Sequence, residues 1–258
     1  MNPQLPTLLV LNPNTSASIT ALLLEHARRE AGERARLEGC TARLGAPYIA
    51  SEAACAIAAH SALDAWAEWR AAHPAPQGLL IGCFGDPGLF ALREVCDCPV
   101  TGLAEAAFRE AQRTSDNGRF AVVTGGAAWG PMLDRLARGL GLDDALAGIH
   151  TVAPSGAALA ADPQSALPLL AQACRDAART TGAGSVILGG AGLAGMAARI
   201  RDQVPVPIVD SVEAGVRAAL VASRSTPGLV AGMHAKSELH PGDWSGLGPA
   251  LARCLSGS

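Results

Sequence analysis

Cys83 is the side chain in this 258-residue chain whose type and setting point most directly to chemistry. It stands in Gly82-Cys83-Phe84-Gly85-Asp86-Pro87-Gly88, after the apolar run Leu79-Leu80-Ile81 and ahead of a helical stretch beginning near Leu89. A thiol in such a loop is expected to feel loop amides and a helix N-terminus, which favour the thiolate and make it a base or nucleophile. The flanking glycines let a substrate approach the backbone closely. A buried, inert cysteine closing a strand is the competing reading. Asp86, three residues on, could orient or polarise the site, although Asp-Pro also opens ordinary turns.

A second candidate is Asn12-Pro13-Asn14-Thr15-Ser16. Pro13 stops a central strand, and Thr15 or Ser16 can cap the helix that follows, leaving amides to hold a carboxylate or imide oxygen. A simple capped turn accounts for Thr15 and Ser16 but not for Asn12 and Asn14. Thr124-Gly125-Gly126 offers hydroxyl and amide donors in a sequence that is also common in turns. Cys40, Cys55 and Cys174 fall within presumed strands or helices, and Cys96 and Cys98 lie between a helix and a strand at the far end of the sheet. None has paired metal-ligand spacing, nor do His26, His60, His73 or His150. His234 and His240 belong to the stretch Met233 to Trp244, read either as a cover for the cleft or as an unstructured tail. No Walker loop, dinucleotide fingerprint or serine elbow is present, so no cofactor is expected.

These candidates all follow short apolar runs: Thr7 to Leu11, Gly78 to Gly82, Phe120 to Thr124, Ser185 to Gly189 and Val206 to Val209, with weaker runs near Ala35 to Leu44 and Gly148 to Ala153. Each is followed by a Gly, Pro, Asn or Ser cluster and an alanine-rich segment of helical length. Strands alternating with helices predict α/β structure with a parallel sheet covered on both faces. The segment from Leu79 through Cys83 to Gly85, then Pro99-Val100 and Glu105-Ala106, recurs as Val186 through Gly190 to Gly192, then Pro207-Ile208 and Glu213-Ala214. Cys83 and Glu105 are 22 apart, Gly190 and Glu213 are 23 apart. The duplication predicts two pseudo-symmetric lobes, residues 1–102 plus 210–258 and residues 103–209, with the active site in the cleft where the strand ends converge.

Composition bounds the partners. The chain is 49% hydrophobic, 3% aromatic and 17% charged with a net charge of −3, so it has neither a basic field nor a stacking platform for nucleic acid. No uncharged window approaches the length of a membrane span, and the N-terminus lacks the pattern of a signal peptide, which predicts a cytoplasmic protein without a membrane partner. Seven scattered cysteines give no disulfide framework. The low charge content permits the apolar interfaces that a homo-oligomer would need, and the expected ligand is a small carboxylate or cyclic imide.

Taken together, Leu9 to Ser16, Gly82 to Leu89, Pro99-Val100-Thr101-Gly102-Leu103-Ala104-Glu105-Ala106 and Leu188-Gly189-Gly190-Ala191-Gly192 resemble the aspartate/glutamate/hydantoin racemase superfamily, nearest its hydantoin racemase branch, over Leu8 to Val221. The resemblance implies a cofactor-independent isomerase in which one cysteine from each lobe flanks the carbon alpha to a carbonyl. Cys83 matches the first-lobe cysteine. Asn12, Asn14, Thr15, Ser16, Phe84, Thr124, Gly125, Ala191 and Gly192 are the implied substrate-binding positions. Where that branch reads Leu-Gly-Cys-Ala-Gly, Gly190 stands in place of the second cysteine and cannot carry a proton. The implied activity is racemisation of a small amino-acid or hydantoin-like substrate, with Cys83 as one base and an unidentified residue, a water or a tail histidine as the other. A one-cysteine lyase, decarboxylase or ring-opening hydrolase is the alternative, as is a silent binding protein. Arylmalonate decarboxylases, which resemble the mirror image of this case, keep the cysteine of the other lobe.

Overall fold

The computed structural model describes residues 5–224 and 244–256. His234 and His240 lie outside the described residues. Two four-stranded parallel sheets carry the fold. The first, in the order β2-β1-β3-β4, comprises β1 (Thr7–Asn12), β2 (Arg36–Thr41), β3 (Gly78–Ile81) and β4 (Val100–Gly102). The second repeats that order as β6-β5-β7-β8, from β5 (Phe120–Gly125), β6 (Leu146–Val152), β7 (Ser185–Leu188) and β8 (Ile208–Asp210). Leu9 stands opposite Leu79 and Leu79 opposite Val100, as Val122 stands opposite Ile187 and Ile187 opposite Val209. The inner strands β3, β5 and β7 are buried at every residue and β1 at all but its first. That burial is why they read as continuous apolar runs rather than as alternating ones.

Helices α1 (Ala17–Ala31), α2 (Glu52–Ala72) and α3 (Leu89–Val95) accompany the first sheet. Helices α5 (Trp129–Gly139), α6 (Gly156–Ala161), α7 (Pro163–Thr181) and α8 (Met196–Ile200) accompany the second. Capping fixes several of the starts. The Ser16 side chain accepts from Ile19 N at α1, Ser51 from Ala54 N at α2, and Asp162 from Ser165 N at α7, which opens on Pro163.

The remaining long helices tie the two halves together. Helix α4 (Leu103–Thr114) follows the last strand of the first sheet yet, among the strands, packs most on β7 and β8, and α9 (Ser211–Ala222) follows the last strand of the second yet, among the strands, packs most on β3 and β4. The two helices also pack on each other. Gly215 permits that approach, since a Cβ there would stand 2.5 Å from the Leu103 side chain. Arg217 then joins three elements, meeting Glu110 of α4 at 2.6 Å, Glu30 of α1 at 3.2 Å and Glu213 of α9 at 3.6 Å. The last helix, α10 (Pro249–Ser256), buries Leu251 against the first half, with Ala67 of α2 in the same cluster. Among the described residues no helix is long and apolar enough to cross a membrane.

Candidate active site

The loops after β1, β3, β5 and β7 meet at the carboxyl ends of both sheets, where open α/β sheets bind ligands. They enclose a small pocket of about 50 Å³. A larger hollow of about 660 Å³ lies at the other end of the first sheet, lined by Thr7, Arg36, Trp69 and Gln77. It contains none of the loop residues singled out above, so the small pocket is where chemistry can converge.

Of the residues expected at a site, Asn14, Cys83, Phe84, Thr124, Gly125, Gly190, Ala191 and Gly192 line this pocket. Asn12, Thr15, Ser16 and Asp86 do not line it. Asn12 is fully buried and holds the first loop in shape. Its Nδ2 donates to Asn14 Oδ1 at 2.9 Å, to the Ser16 carbonyl at 3.0 Å and to Thr20 Oγ1 at 3.0 Å. Asn14 Oδ1 also accepts from the Ser16 N–H, which fixes the amide orientation. The Asn14 Nδ2 donor is left without a protein acceptor among the described residues, at the edge of the pocket. Thr124 Oγ1 likewise has no protein partner there. Two donors are thus available for a ligand carbonyl.

Cys83 is 7% exposed. Contrary to the expectation of a thiolate, burial pushes this thiol well above its usual range, and the neighbouring Cys55 thiol and Asp86 carboxylate push in the same direction. Desolvation outweighs the loop dipoles because the α3 N-terminus lies six residues on, at Leu89, and its amide is engaged by the Asp86 carbonyl. Cys83 therefore rests as a thiol, a proton donor. Iodoacetamide labelling of Cys83, read by mass spectrometry, is expected to be slow at neutral pH and to accelerate as pH rises. Rapid labelling at about pH 6 would contradict a protonated resting state.

Asp86 plays another part than facing the ligand. Its carboxylate turns toward the start of α4, accepting from Ala104 N at 2.9 Å and Glu105 N at 2.8 Å, from a backbone at φ +47°. Gly102 makes the room, because a Cβ there would collide with the Asp86 carboxylate. Burial raises the Asp86 pKa to about 7 against the lowering effect of those two amides. In the second half the same link is built from the opposite side. Asp210, at the strand position matching Gly102, caps α9 through Val212 N and reaches Gly195 N at 2.7 Å. Each carboxylate ties the loop after a third strand to the helix after a fourth.

Several lining residues carried no local signal. Tyr48, the chain's single tyrosine, comes from the loop between β2 and α2 and its hydroxyl accepts the Gly156 N–H at 3.2 Å. Trp129, at the start of α5, lies over Gly85, and Phe84 lies over Gly189. Any side chain at Gly85 or Gly189 would collide with these rings. Phe84 also meets Phe108 edge-on, with ring centroids 6.1 Å apart. At Gly190 φ is +140°, and a Cβ would find its nearest neighbours at 3.5 Å (Leu193 Cγ) and 3.9 Å (Thr124 Oγ1). The position has space for a side chain but a backbone that suits glycine. Among the described residues, no three His, Cys, Asp or Glu side chains converge as metal ligands.

Comparison with known proteins places this geometry. The sequence model described as Asp/Glu/Hydantoin racemase matches residues 8–219. A hydantoin racemase of Paenarthrobacter aurescens is 32% identical over 212 residues, covering 82% of this chain and 89% of that one. The allantoin racemase structure from Klebsiella pneumoniae superposes with a TM-score of 0.81 at 29% identity, covering 95% of this chain and 98% of that one. Arylmalonate decarboxylase shares the fold alone, with a TM-score of 0.59 at 16% identity over 98% of this chain and all of that one.

Proposed function

The chain belongs to the Asp/Glu/hydantoin racemase family and is an isomerase-type enzyme, and from that premise we propose that it racemises a small hydantoin-like ring without a cofactor, using Cys83 as its one thiol acid/base. The observation that carries this reading is the Cys83 side chain lining a pocket that also presents the unpaired donors of Asn14 and Thr124. Removing a proton alpha to a carbonyl places charge on the carbonyl oxygen, and donors already aimed there stabilise that charge. A thiol on one face of the carbon then delivers a proton to it.

The lining favours a neutral ring over an anionic amino acid. Among the described residues none that lines the pocket is Lys, Arg or His, so a free carboxylate would meet an apolar wall there without a cation to pair with. A ring that presents carbonyl and N–H edges can instead be met by side-chain amides, hydroxyls and backbone. The names of the relatives agree with this substrate class. One observation favours a second reading, a one-thiol lyase or decarboxylase: the space left at Gly190. Enantiopure 5-methylhydantoin and allantoin separate the two readings. Loss of optical rotation without a new product is the expected result. Release of carbon dioxide from a substituted malonate, with neither ring racemised, would establish the second reading instead.

Gly190→Cys tests the placement of Gly190 opposite Cys83. Space is available for the new side chain, while leaving φ +140° costs on the order of 1–3 kcal/mol of stability. A lower melting temperature with a faster racemisation rate is expected. A folded variant whose rate is unchanged would count against that placement.

A further inference from the structure

Racemisation needs a proton acceptor and a proton donor on opposite faces of the reacting carbon. Cys83 supplies one, and Gly190 can supply nothing. Of the described residues that line the pocket, Cys83 and Tyr48 alone have titratable side chains. Tyr48 is carried by the first half of the chain, but its hydroxyl lies on the wall built by the second. Its oxygen accepts from Gly156 N, and that amide nitrogen lies 2.7 Å from where a Cβ of Gly125 would stand. The Gly156 carbonyl lies 2.7 Å from where a Cβ of Gly192 would stand. Thr124, on the same wall, places Oγ1 beside Gly190. The Gly156 N–H occupies one lone pair of the phenol oxygen and fixes its place. The hydroxyl proton has no protein acceptor among the described residues.

Resting on the reading that Cys83 is the thiol acid/base, we infer that Tyr48 is the second proton-transfer group and replaces the thiol absent at Gly190. In one direction Tyr48, once its hydroxyl proton has passed to water, removes the ring proton as the base, and the electron pair of the C–H bond passes into the enolate. The Cys83 thiol then delivers its proton to the opposite face, leaving a phenol and a thiolate. From the other enantiomer the thiolate removes the proton and the phenol delivers one. Exchange with water restores the starting protonation state.

Tyr48→Phe is expected to lower kcat/KM for racemisation of 5-methylhydantoin or allantoin by about 10²- to 10⁴-fold. In deuterated water it should still exchange, with retention, the proton of the enantiomer whose C–H bond faces Cys83, and Cys83→Ala should do so only for the opposite enantiomer. Because the chain has a single tyrosine, biosynthetic incorporation of 3-fluorotyrosine alters this phenol alone and keeps the fold testable if Tyr48→Phe does not fold. The more acidic phenol is expected to move one limb of the kcat/KM pH profile downward, which a purely structural tyrosine would not do. Near wild-type racemisation by Tyr48→Phe, or an unmoved pH profile with 3-fluorotyrosine, would overturn the inference and leave the role of Cys83 standing. If Cys83→Ala also racemises at the wild-type rate, or the wild type acts on neither ring, the underlying reading fails and the inference with it.

Discussion

Cys83→Ala is expected to lower kcat/KM for racemisation of a hydantoin-like ring by about 10²- to 10⁴-fold, the usual contribution of one positioned acid/base group. The effect should fall on turnover rather than on binding. Asn14 and Thr124 hold their donors independently of the thiol, the first through Asn12 and Ser16 and the second at the end of β5. Ligand-induced stabilisation by an unreactive ring analogue should therefore survive the substitution. The lost sulfur leaves only a small void, so the variant should melt within a few degrees of the wild type. Racemisation and ligand binding measured on the same preparation separate these expectations. Equal losses of both would show that Cys83 shapes the pocket rather than moving a proton.

Asp86→Ala is expected to cost about 2–4 kcal/mol of stability, because it strips the buried Ala104 and Glu105 amides of their acceptor and unties the Cys83 loop from α4. The deficit should depend on pH. Below about pH 4 the carboxyl is neutral in both folded and unfolded chains. As pH rises from about 4 to about 7 the unfolded chain releases this proton while the folded chain, with its pKa at about 7, keeps it. Rising pH therefore removes stability that the wild type owes to Asp86, and the gap between wild type and Asp86→Ala should narrow across that window and then level off. Thermal melts of both proteins at several pH values check this. A gap that widens with pH would mean that the two amides outweigh burial and that the folded carboxyl is ionised well below neutrality.

The parts of the fold that were legible are those whose burial leaves a continuous apolar run. Strands β1, β3, β5 and β7 stand out between Gly, Pro and Asn because both of their faces are covered. The outer strands were harder. β4 has three residues, too few to show a pattern, and β8 spans Ile208–Asp210 rather than Val206 to Val209, starting only after Pro207. At the site, Cys83, Asn14 and Thr124 are legible because strand-end loops carry ligands in such sheets, and Gly190 is legible through the resemblance of Leu188-Gly189-Gly190-Ala191-Gly192 to the family motif. Helix dipoles are apparent from spacing, whereas the burial that raises the Cys83 thiol depends on what folds over the loop. Asp86 bonds 18 and 19 positions along the chain, and Tyr48 bonds 108 positions away. Neither partner has a local signature. Trp129 and Phe84 seal the cleft through glycines of the opposite half, an arrangement that only tertiary packing defines.

The most direct measurement is to incubate enantiopure 5-methylhydantoin with the wild-type protein in deuterated water and to follow, in one sample, the ring proton by NMR and the optical rotation. Carbon acid/base chemistry at Cys83 predicts that deuterium enters at the stereocentre as the rotation decays, and that Cys83→Ala abolishes the decay. Decay of the rotation with the original proton retained, or deuterium entry and decay unaffected by Cys83→Ala, would contradict it.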